Sequence, residues 1–123
     1  MEFKRTVLSF VFAAASLLAA DPAVTQAKKE LAAKNYDAAI TGLQAATKAN
    51  PKSAEIKATL VEALLAKADS IMYNEALPPR AKYPDALRNY RQVLTVDKEN
   101  QKAKASISTI ENIYKSMGRP IPQ

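Results

Sequence analysis

Across residues 22–117 the apolar positions recur at three- and four-residue steps, the spacing that places side chains on one face of an α-helix. Ile40, Leu43, Ala46 and Thr47 mark one such face, with the small residues Ala38, Ala39 and Gly42 keeping a neighbouring face thin. Leu60, Val61, Leu64, Leu65, Ala68, Ile71 and Met72 form the longest stripe. Ala86, Leu87, Tyr90, Val93 and Leu94 repeat it, as do Ala103, Ile107, Ile110, Tyr114 and Met117. No stretch alternates with period two for long enough to argue for a strand, so the pattern predicts an all-α fold. Punctuation agrees. Asn50-Pro51-Lys52-Ser53 is a turn with Ser53 as helix cap, Leu77-Pro78-Pro79 ends the long helix, and Gly118 with Pro120 stops the last one. Pro84 suits the first turn of a helix, where its missing N–H costs nothing. Five helices are expected, near 22–34, 36–49, 54–76, 84–97 and 100–117.

Comparing the chain with itself adds an organising rule. Asn35-Tyr36-Asp37-Ala38-Ala39-Ile40 matches Lys82-Tyr83-Pro84-Asp85-Ala86-Leu87 at an offset of 47, which also pairs Leu43 with Tyr90 and Ala46 with Val93. Between the preceding helices the offset is 34, pairing Leu31 with Leu65, so the second hairpin carries a 13-residue insertion between Leu65 and Tyr83. Two hairpins, near 22–49 and 54–97, would then be closed by a capping helix near 100–117. With Ala27, Tyr36, Ala39, Leu43 and Ala46 in one unit and Tyr83, Ala86 and Tyr90 in the next, the chain resembles the tetratricopeptide-repeat (TPR) family. Ala23, Val61 and Lys98 depart from that family's pattern, at positions where it favours a tryptophan, a small residue and a turn proline. The resemblance implies a short solenoid of antiparallel helical hairpins. Its concave face would come from the first helix of each hairpin: Thr25, Lys28 and Leu31, then Glu55, Thr59 and Glu62, with Lys102 and Ser106 beyond. The clamp that some relatives use for chaperone tails needs several cationic and amide residues there, and only Lys102 fits.

Residues 1–20 read as an export signal. Lys4 and Arg5 precede an apolar run from Thr6 to Ala20, and small residues close it before Asp21-Pro22. The run is shorter than the ~20 residues a membrane span needs. The mature domain would be residues 21–123, with no stable membrane span, in a periplasmic or extracellular, bacterial setting. All three phenylalanines fall before residue 21 and cysteine is absent, so helix packing must hold the domain without disulfides.

The sequence has no histidine, cysteine or tryptophan and only two glycines. Those absences exclude a His/Cys zinc site, a thiol nucleophile, a Ser-His-Asp triad and a glycine-rich phosphate loop. No cofactor, metal or catalytic set is expected, and the chain reads as a non-enzyme. Charge is uneven. Residues 21–79 hold seven basic and seven acidic side chains, whereas residues 80–123 hold nine and four. Arg80, Lys82, Arg88, Arg91, Lys98 and Lys104 are therefore candidates for an anionic partner, such as an envelope polymer or a membrane surface. The plainer reading is a solvated face, and export argues against nucleic acid. The leading expectation is an exported adaptor that binds another protein or a second copy of itself. With only two hairpins, Val24 and Leu31 would lie partly exposed on an uncapped first unit and favour self-association.

Overall fold

The computed structural model describes residues 21–123, and the export-signal reading falls outside the described residues. Five helices follow one another: α1 (Pro22–Ala32), α2 (Tyr36–Ala49), α3 (Ala54–Met72), α4 (Pro79–Val96) and α5 (Gln101–Ser116). Each packs on its sequence neighbour, and α1 also packs on α3. Among the described residues there is no strand.

The starts are set by side-chain caps. Asp21, Ser53 and Asn100 accept from the N–H groups of Ala23, Ile56 and Ala103 at 2.8, 3.2 and 2.9 Å, each satisfying a donor the first turn would otherwise leave free. α1 and α5 end alike. Asn35 N–H donates to Glu30 O and Lys34 N–H to Leu31 O; Arg119 N–H donates to Tyr114 O and Gly118 N–H to Lys115 O. The residue at the bend is left-handed in both, Lys34 at φ 62 and Gly118 at φ 65.

The second hairpin corrects two expectations. α3 stops at Met72, not near 76, because Asn74 accepts from Ala76 N–H at 3.0 Å and forms a turn that competes with the helix before the prolines are reached. α4 then starts at Pro79, so Pro84 is its sixth residue rather than part of its first turn. Pro78 and Pro79 preset the entry, and Ala81 and Lys82 N–H both donate to Pro78 O. The extra 13 residues are thus spread over a longer α3, a short loop and an earlier start of α4.

Two apolar clusters form the core. The first joins α1, α2, the front of α3, Val93 and Ala103; the second joins Ala68, Ala86, Leu87, Tyr90, Ile110 and Tyr114. Leu65 packs against both. Of the matched repeat positions, Ala39 with Ala86 and Leu43 with Tyr90 are all inaccessible, whereas Val93 is more buried than its match Ala46. Ala27 is buried too, while Tyr36, Ala46 and Tyr83 are half-buried. Ile71 and Met72 are half-buried against the second cluster, so the end of α3 is packed and not a bare overhang. Two readings are overturned. Val24 is buried in the first cluster, because α1 lies on both α2 and α3, whereas Leu31 at its edge is partly exposed as expected. Gly42 faces open space, with nothing within 4 Å of an added Cβ, so no packing contact requires its small size.

Candidate functional site

The buried stripe of α3 is Ile56, Thr59, Leu60, Ala63, Leu64 and Ala68. At 100° per residue, half-buried Val61 and Leu65 flank this stripe beside Ala68, and with Ala58 and Asp69 further round the helix they form a second stripe. That stripe floors an open groove made of two connected hollows. One, of about 380 Å³, is lined by Val61, Glu62, Leu65, Ala66 and Asp69 and walled by Lys102 of α5. The other, of about 320 Å³, runs from Ala54 past Lys57 to Asp97, where α4 ends. Ala58 and Val61 belong to both. The floor is small or apolar and the rim is charged, with both signs present.

Asp69 is the knot of this site. Its Oδ1 accepts from the Tyr90 hydroxyl and its Oδ2 from Lys102 Nζ, both at 2.5 Å. One carboxylate thereby ties α3 to α4 and α5. Tyr90 is wholly inaccessible, and burial first, then the bond to Asp69, pushes its phenol well above the ordinary tyrosine range; Ser106 pulls the other way. The Lys102–Asp69 pair is part-exposed, so it contributes little stability by itself and chiefly positions the lysine on the groove rim.

Of the concave-face residues expected from the sequence, Glu62 and Lys102 line the groove. Thr59 does not: it is buried, and its hydroxyl donates to Glu55 O at 2.8 Å. The correction follows from helix phase, since Thr59 lies three residues from Ile56 on the core side. Thr25, Lys28 and Glu55 are exposed outside the groove lining, Leu31 packs on the core, and Ser106 is half-buried near Tyr90. Sequence reasoning did not place Ala54, Lys57, Ala58, Val61, Leu65, Ala66, Asp69 or Asp97 in the site. For Ala58, Val61, Leu65 and Asp69 the signal was the three-and-four-residue spacing on α3, which the stronger core stripe obscured; Asp97, at the end of α4, carried none.

The candidate basic surface is largely committed within the chain. Arg88 pairs with Asp85 at 2.8 Å and Lys104 with Glu99 at 2.7 Å. Arg91 donates to Pro122 O at 2.9 Å, and Lys82 Nζ sits 5.5 Å from the Tyr83 ring centroid. Arg80 and Lys98 are exposed and make no ion pair among the described residues. Among the described residues no three acidic side chains converge as a metal site would require, and no helix is long and apolar enough to cross a membrane. The chain matches no protein-family model, no curated protein and no solved structure.

Proposed function

We propose that this chain is a non-enzymatic interaction scaffold, exported to the cell envelope, that binds a partner protein through a TPR-like groove along α3. One observation carries the reading: beside its buried stripe α3 keeps exposed Ala58 and half-buried Val61 and Leu65 as the floor of an open groove between charged rims. Small floor residues let a partner backbone or side chain approach, and the rims supply direction. The lack of histidine and cysteine supports a binding role over a catalytic one. The discriminating experiment is affinity purification of the tagged chain from its source cells at low and high salt. A protein recovered in fixed ratio at both salt levels, and lost with Val61→Asp in a chain that still folds, is the expected result. Retention that collapses with salt and ignores Val61→Asp contradicts the groove and favours an anionic polymer or membrane surface bound by the basic C-terminal part.

A further inference from the structure

A second cleft, of about 460 Å³, opens where the first turn of α4 meets the end of α5. Its walls are Pro78, Pro79, Tyr114 and Met117, its charged groups are Arg80 and Arg119, and no carboxylate lines it. Both arginines are exposed, and neither enters an ion pair among the described residues. Both also spring from fixed backbone. Arg80 is the second residue of a helix whose entry is set by two prolines, with Ala81 and Lys82 N–H closed onto Pro78 O at 3.0 and 2.9 Å. Arg119 follows the left-handed Gly118, and its N–H donates to Tyr114 O at 3.0 Å. Beyond it the tail is tied down by Ile121 on the second core cluster and by the bond from Arg91 to Pro122 O. The carbonyls of Tyr114 and Lys115 are already used in the α5 turn, so the cleft offers chiefly guanidinium donors beside the positive end of the α4 dipole.

We propose that this cleft docks an acidic peptide segment of a partner protein. Its carboxylates would bind Arg80 and Arg119, and an adjacent apolar side chain would rest on Met117, Tyr114 and the prolines. Charge complementarity sets the sign of the ligand, since two unpaired arginines with no carboxylate in the lining reject a basic segment. The walls favour a peptide over a bare anion. Met117 is 48% exposed, an unusual state for a large apolar side chain here, and an inorganic phosphate would leave it uncovered. Arginine also gives planar two-point binding to carboxylate, with little ordering cost because both stems start from rigid turns.

The test uses fluorescence anisotropy of the purified chain with a labelled peptide of alternating Asp-Glu-Leu units. Controls are the Asn-Gln-Leu counterpart and vesicles containing phosphatidylglycerol. Arg80→Gln and Arg119→Gln should each weaken the acidic peptide about tenfold, as expected for losing a hydrogen bond between charged groups. Lys98→Gln, an equal charge change at the far end of α4, should alter it less than about twofold. Circular dichroism confirms that these surface variants fold. The proposal is overturned if the acidic peptide does not bind, if its neutral counterpart binds as well, or if Lys98→Gln weakens it equally. Binding to the vesicles through the same two arginines, without binding to the peptide, would likewise overturn it in favour of a lipid surface.

Discussion

Single side chains show how little room this fold has in its crossings and how much outside them. Ala39 is 1% exposed where α2 meets the core, so Ala39→Leu should cost about 1–3 kcal/mol through overpacking, and Lys48→Ala, on the exposed side, close to nothing. Gly42 lies mid-helix with open space around it; Gly42→Ala should therefore raise stability by about 0.5–1 kcal/mol in urea denaturation. Tyr90 supplies a pH dependence with a definite sign. Its phenol stays protonated in the folded chain, held up by burial and by Asp69, whereas the unfolded phenol titrates near 10. The folded state binds the extra proton, so Tyr90 contributes stability that is present below pH 10 and is lost as pH rises beyond it. Tyrosinate absorbance should show Tyr90 ionising only as the chain unfolds, and Tyr90→Phe should remove that step. An early, full-amplitude titration of all tyrosines in the folded protein would refute the assignment.

The existence of the five helices was legible in the sequence; the phase at Thr59 and the boundaries of the second hairpin were not. The bounds expected for α2 coincide with those found, because Tyr36 and the Asn50-Pro51 turn frame a clear apolar stripe. The end of α3 was misplaced because the Asn74 turn acts locally before the more conspicuous prolines. Pro84 read as a helix start, yet it sits inside α4, where it removes the bond that residue would donate to the Arg80 carbonyl. Restoring that donor gives a test at this scale: Pro84→Ala should raise the denaturation midpoint by about 1–3 kcal/mol equivalent. The cap at the start of α5 should behave oppositely, with Asn100→Ala costing about 1 kcal/mol as the Ala103 N–H loses its acceptor.

The whole molecule is two apolar clusters joined at Leu65, whose partly buried side chain touches both and also floors the groove. Circular dichroism and the fluorescence of the tyrosines, three of which pack in or against the second cluster, should therefore report one coincident transition. Leu65→Ala should lower its midpoint by about 2 kcal/mol, toward the small end of core truncations because the site is half-open. The core could be read from periodicity because burial follows the strongest stripe. The groove could not be read as readily, since Val61 and Leu65 merge with the core stripe, its other residues are small or charged as on any solvated helix face, and only the positions of Lys102 and Asp97 turn that face into a site. The absence of cysteine makes the decisive measurement clean. A single cysteine placed by Ala58→Cys in the groove, or by Ala45→Cys on the exposed face of α2, can carry an environment-sensitive fluorophore while the co-purified partner is added. Binding should shift the emission of the Ala58 label to the blue and leave the Ala45 label unchanged. A bound partner that leaves the Ala58 label unmoved, or that shifts the Ala45 label instead, would contradict the groove as the binding face.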